Sequence, residues 1–156
     1  MPPSGQPVTW QILDALRTLL QGVDAGATYY NSIRQVALYE MDRLRATQTP
    51  LAAVIPDGSS YDDEGHQNVG EVSDAMRITL LLVQHQNNDA AQDLLQLERD
   101  VKTALLADYT LSGLVLNIEL LGADHTFPDE RDYLAYTELR ILVRYRTPRT
   151  DLNTST

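Results

Sequence analysis

The chain contains no cysteine. That excludes a disulfide framework, a thiolate zinc site and a thiol nucleophile. Lysine is nearly absent as well: Lys102 stands alone among twelve cations, the others being arginine. Arginine's planar guanidinium suits fixed, bidentate ion pairs at interfaces better than a mobile ammonium does, although a biased genome would give the same composition. No stretch approaches the roughly 18 consecutive apolar residues that a membrane-spanning helix needs. The opening MPPSGQPVTW has neither the positive start nor the apolar centre of a signal peptide. A soluble, cytosolic chain without a membrane partner is expected.

What is present suffices for one domain. A chain of 156 residues, 43% of them hydrophobic, buries roughly 68–70% of its unfolded surface. The formal net charge is −10, which argues against a general nucleic-acid binder, because phosphate neutralisation needs clustered cations. The charge is uneven. Residues 57–74 hold six acids and no lysine or arginine, whereas Arg140, Arg144, Arg146 and Arg149 crowd the end of the chain.

Hydrophobic periodicity sets out the elements. In residues 8–22, Ile12, Leu13, Leu16, Leu19 and Leu20 fall at helical spacing, with Thr9 as N-cap and Gly22 as stop. So strong a stripe is expected to pack on the chain's own sheet. Residues 33–41 read as a strand with Arg34, Val36, Leu38 and Glu40 on one parity, although Ile33, Val36, Ala37 and Glu40 also fit a helix. Residues 51–55, between Pro50 and Pro56, suit a short strand ended by the prolines. The segment 57–74, DGSSYDDEGHQNVGEVSD, reads as a polar loop longer than ordinary connections. Residues 76–86 then read as a central strand and 89–108 as a helix capped by Asn88. In that helix Glu98 and Lys102 form an i,i+4 pair worth about 0.2–0.5 kcal/mol. After a turn at Ser112-Gly113, residues 113–121 read as a strand.

The last strand, residues 132–146, is the longest. Tyr133, Ala135, Thr137, Leu139, Ile141, Val143 and Tyr145 alternate with Leu134, Tyr136, Glu138, Arg140, Leu142, Arg144 and Arg146. One face is apolar and the other charged. A strand of that length is expected to run beyond its sheet or to be covered by a partner. The expected fold is a single α+β domain over residues 1–146, a mainly antiparallel sheet packed by two main helices. Its order is helix-strand-strand-strand-helix-strand-strand, with a polar tail at 147–156.

Candidate chemistry is sparse. Asp57, Asp62, Asp63, Glu64 and His66 could suggest a metal, but they lack the regular ligand register and terminal glutamate of a calcium loop. A solvated acidic loop explains them as well. His66, His85 and His125 show no i,i+4 ligand pairing. Asp124 beside His125 could orient an imidazole, yet no G-x-S-x-G elbow is present to be activated. No phosphate-binding glycine loop occurs. The sequence reads as a non-enzyme without catalytic, cofactor or metal residues. The tyrosines Tyr29, Tyr30, Tyr61, Tyr109, Tyr133 and Tyr136 suit an interface or ordinary strands equally.

The phrases VTWQILDALRTLLQGV, PLAAVIPDG, MRITLLLVQHQ, AAQDLLQLERDVKTALL, LSGLVLNIELLG and DYLAYTELRILVRYRT follow one another over residues 8–146. In order and spacing this chain resembles the tail terminator (tail completion) proteins of long-tailed bacteriophages. Head-completion and other neck connector proteins of similar size are the alternatives, with a small metal-binding domain using the acidic loop behind them.

The resemblance implies a ring, typically hexameric, that caps the tail tube, ends its polymerisation and offers a surface for joining the head. The partners would be further copies of the chain, the tail tube protein and a head-tail connector. Genomic DNA would pass through the lumen without sequence-specific binding. The protein would reside in the virion, and in the host cytoplasm during assembly. A closed ring needs two different patches on each subunit. Arg140, Arg144 and Arg146 on one copy, and Asp57, Asp62, Asp63 and Glu64 on its neighbour, are the candidate complementary pair.

Overall fold

The computed structural model describes residues 5–38, 48–61, 71–85, 90–127 and 134–148. Helix α1, Val8–Gln21, buries Val8, Ile12, Leu13, Leu16 and Leu20, the stripe that the spacing predicts. Its start differs from expectation. Pro7 holds the N-cap place with no side-chain cap, and its carbonyl accepts Gln11 N–H at 3.1 Å. Thr9 already lies inside the first turn. Proline suits this place because its φ is preset and the helix asks no N–H of it. Gly22 ends the helix as expected, its N–H shared by the carbonyls of Thr18 and Leu19.

Among the described residues five strands follow: β1 (Gln35–Leu38), β2 (Leu51–Tyr61), β3 (Glu71–His85), β4 (Asn117–Thr126) and β5 (Leu134–Pro148). Helix α2 (Ala90–Ala107) stands between β3 and β4. The sheet order is β1-β2-β3-β5-β4, antiparallel throughout except for the parallel pair β1 and β2. The element order agrees with that read from the sequence. The result is one α+β domain.

Three boundaries are corrected. The polar segment 57–74 is not all loop, since residues 57–61 continue β2 and 71–74 begin β3. A ladder needs only backbone partners, so polar side chains do not stop it. Pro56 does not end β2 either. The register slips between Pro56 and Gly58, a bulge that absorbs the missing donor. At the other correction, β4 begins at Asn117 and reaches Thr126. Leu111, Ser112 and Gly113 all have positive φ, so the chain coils through a turn there, although Leu111 and Val115 are buried.

The third concerns β5, which is an inner strand and not a long edge. It pairs with β3 from Glu71↔Pro148 to His85↔Leu134, and with β4 on its other side. Its length is explained by the 15-residue neighbour it matches. The strand also runs to Pro148, into the expected tail; residues 149–156 lie outside the described residues.

Both helices pack on one face of the sheet. Val8, Ile12, Leu16 and Leu20 of α1, with Leu97, Val101, Ala104 and Leu105 of α2, join a single core with Ala52, Val54, Ile78, Leu80, Leu82, Leu139, Ile141 and Val143. The register places these strand residues side by side: Val54↔Leu80, Leu80↔Leu139 and Ile78↔Ile141. The opposite parity of each strand forms the outer face, on which no helix packs among the described residues.

Candidate functional site

The outer face of the sheet holds the charged residues singled out from the sequence. On β5 it carries Tyr136, Glu138, Arg140, Leu142, Arg144 and Arg146, the parity expected from alternation. β4 lies alongside, with Gly122↔Arg140, Glu119↔Leu142 and Asn117↔Arg144. Two arginines find acids there within the same chain. Arg140 Nη1 donates to Asp124 Oδ2, and Arg144 Nε donates to Glu119 Oε1 at 3.3 Å. The Asp124 hydrogen bond and charge hold the Arg140 guanidinium above its ordinary pKa. Arg146 is exposed, opposite Ser73 of β3.

Local backbone fits this arrangement. The register slips between Leu120 and Gly122, turning Leu121 out of the ladder. A Cβ at Gly122 would come within 3.3 Å of Arg140 Nη2, so glycine leaves room for the guanidinium to lie over β4.

Of the acidic set, Asp57 alone falls among the described residues; Asp62, Asp63, Glu64 and His66 lie outside them. Asp57 accepts a hydrogen bond from the Thr79 hydroxyl on β3, and Thr79 is opposite Arg140 on β5. The fold therefore brings Arg140 and Arg144 to Asp124 and Glu119, with Asp57 one strand further away. No group of three His, Asp or Glu side chains able to hold a metal occurs among the described residues.

Asp124 and His125 do not form a dyad. Successive strand residues point to opposite faces, so Asp124 meets Arg140 outside while His125 turns inward to α2. His125 Nε2 lies 2.9 Å from Glu98 Oε2, and Lys102 Nζ lies 3.0 Å from Glu98 Oε1. Burial pushes the Glu98 pKa up, but the hydrogen bonds and positive charge of His125 and Lys102 outweigh it and hold the carboxyl below its ordinary value. Opposite His125 on β5 stands Thr137, whose buried hydroxyl has no hydrogen-bond partner among the described residues.

Asp100 was not singled out by sequence, yet it is wholly buried. Its carboxylate accepts Tyr30 N–H at 3.0 Å, Asn31 N–H at 2.8 Å and Asn31 Nδ2 at 3.0 Å. The exposed neighbour Arg99 donates to the Thr28 carbonyl at 2.8 Å and stacks 5.2 Å from the Tyr30 ring centre. Together they fix the segment after α1 onto α2. The signal was an acid flanked at Leu97, Val101 and Ala104 by the buried stripe, where an unpaired carboxylate would be costly. Above this junction, Tyr30, Gln92, Leu95, Gln96 and Arg99 line a shallow groove of about 500 Å³.

The described side chains thus offer salt-bridged strands, a clasp between α2 and β4 and an anchored loop. No helix among them is long and apolar enough to cross a membrane. No protein-family model matches this sequence. No curated protein matches it either.

Proposed function

We propose that the protein is a ring-forming tail terminator of a long-tailed bacteriophage, which caps the tail tube, ends its growth and presents the surface to which the head is joined. The observation that carries this reading is the element order α1-β1-β2-β3-α2-β4-β5, the same order on which the resemblance to that family rests. The outer sheet face supports it in a second way. On β4 and β5 that face is charged and partly exposed, while Leu51, Ala53, Ala75 and Val83 on β2 and β3 are buried; the charged part suits contact with other protein surfaces better than chemistry on a small molecule. The ring is the active form, and a hexamer is its expected size.

Within that reading, Arg146 and the exposed edges of Arg140 and Arg144 remain candidate contacts for the acidic 57–74 segment of a neighbour. The two intrachain pairs lower the cost of bringing arginines to an interface, because each arrives already oriented by a carboxylate. A net charge of −10 suits a conduit through which duplex DNA slides without sticking.

The direct test adds purified protein to a growing preparation of the cognate tail tube and follows tube length by electron microscopy. The reading expects growth to stop, with density for a ring at one end. Continued growth with no protein on the tube would overturn it. Binding to head vertices but not to tubes would select a neck or head-completion connector instead.

A further inference from the structure

Arg77 of β3 was not singled out by sequence. It is exposed on the outer face, opposite Gly58 of β2 on one side and Leu142 of β5 on the other. A Cβ at Gly58 would lie 3.5 Å from Arg77 Nη2, so this guanidinium reaches over β2 as that of Arg140 reaches over Gly122 of β4. Because Leu142 is its cross-strand partner, Arg140 and Arg144 are its two diagonal neighbours. Arg146 stands opposite Ser73, Arg144 opposite Ala75 and Arg140 opposite Thr79. The ladder of β3 and β5 therefore carries an arginine at every second position from 73 to 79. At about 6.7 Å for two strand residues, the row is roughly 20 Å long.

The row is only partly neutralised within the chain. Arg140 has Asp124 and Arg144 has Glu119. Arg77 and Arg146 are exposed, and neither side chain has an acidic partner among the described residues. Like charges at neighbouring cross-strand positions are unfavourable, and threonine or valine would suit the strand better than Arg77 does. The isolated subunit therefore carries a repulsion that acids from outside would offset.

We propose that this row, with Arg77 as its unpaired inner member, receives the acidic segment 57–74 of a second copy of this chain. The inference rests on the ring reading and names the contact within it. Charge selects the occupant. Asp57 and Asp74 are bonded within the chain, to the hydroxyls of Thr79 and Tyr145. Between them in sequence stands Asp62-Asp63-Glu64, the only run of three consecutive acids in the chain. β2 ends at Tyr61 and β3 begins at Glu71, beyond the Arg146 end of the row. Row and segment are thus two different patches of one subunit, as a heterologous, ring-closing contact requires. Guanidinium and carboxylate meet in charge-assisted, two-pronged hydrogen bonds, which fix register as well as attract.

The test exchanges charge between the two patches. One variant carries Arg77→Glu and Arg146→Glu, the other Asp62→Arg, Asp63→Arg and Glu64→Arg. Each alone sets like charge against like and is expected to stay unassembled where the parent forms rings. Mixed in equal amounts they are expected to assemble, because alternating subunits match at every contact and an even-numbered ring closes. Either variant assembling alone as fully as the parent would overturn the proposal while leaving the ring reading intact. Failure of the mixture, with both variants folded by circular dichroism, would overturn it too, since a pairing within one chain is not repaired by mixing. A parent that stays monomeric with and without tubes would sink both readings. Arg77→Thr gives a second readout that does not depend on the multiple variants folding. Its melting temperature should equal or exceed the parent's, while ring assembly becomes about tenfold weaker and less sensitive to salt. A lower melting temperature with assembly as strong as the parent's would make Arg77 a residue of the fold alone and contradict the proposal.

Discussion

His125 of β4, the last strand of the sheet among the described residues, donates a hydrogen bond to Glu98 of α2 across 2.9 Å, and this contact ties that strand to the helical layer. Lys102 holds the other carboxylate oxygen at 3.0 Å. One acid on the helix thereby fixes how β4 sits against the core.

Replacing that acid removes the charge and keeps the shape. Glu98→Gln is expected to cost about 1 kcal/mol near neutrality, a hydrogen bond to a charged group discounted for the partial exposure of His125 and Lys102. The folded pKa of Glu98 lies below its ordinary 4.5. Its stabilisation is therefore fully present above 4.5 and is lost as the pH falls from there through the folded value. Urea titrations of both proteins should show a difference that shrinks to nothing in acid. A difference that stays constant below 4.5 would contradict this account.

Asp100 should be the more costly acid to lose. It is wholly buried and accepts three hydrogen bonds from Tyr30 and Asn31. Asp100→Ala leaves those donors without an acceptor and should cost about 2–4 kcal/mol. Asp100→Asn keeps one acceptor oxygen and should cost less. Denaturant unfolding measures both, and a loss under about 0.5 kcal/mol, typical of a surface site, would mean the loop is held by other contacts.

Thr137 predicts a gain. Its hydroxyl is buried without a partner among the described residues, and Thr137→Val replaces it with a methyl of nearly the same size. Removing an unsatisfied buried polar group should raise stability by about 1 kcal/mol. A lower unfolding midpoint would show that the hydroxyl is satisfied.

The arginine face gives a prediction about assembly and not about folding. Arg140, Arg144 and Arg146 lie on the outer face, away from the core, so replacing all three with alanine should leave the circular dichroism spectrum and the melting temperature nearly unchanged. Ring assembly should weaken, and the parent ring should weaken with added salt. Unchanged assembly of the triple variant would remove these residues from the interface.

Much of this fold was legible because burial imposes a period. The stripes of α1 and α2 and the alternation of β5 follow from residues that share one face with the core. The order of elements followed with them. What stayed hidden depends on pairing, which a single sequence does not display. Whether β5 is an edge or an inner strand is set by β4 joining it from beyond the α2 turn. The polar ends of β2 and β3 pair through backbone groups, so their side chains carried no strand signal. Residues 113–116 looked like strand because Leu114, Val115 and Leu116 are apolar, yet three consecutive positive φ angles at 111–113 make them part of a turn. In the candidate site, the face and parity of Arg140, Arg144 and Arg146 were readable, but their partners Asp124 and Glu119 arrive from another strand. Glu98 was visible as the partner of Lys102, while His125, from β4, was not.

The most direct test of the central claim is native mass by light scattering over a concentration series, with and without cognate tail tubes. The account predicts a discrete ring, a hexamer in its expected form, either free at high concentration or formed when tubes are added. A chain that stays monomeric throughout and ignores the tubes would contradict it.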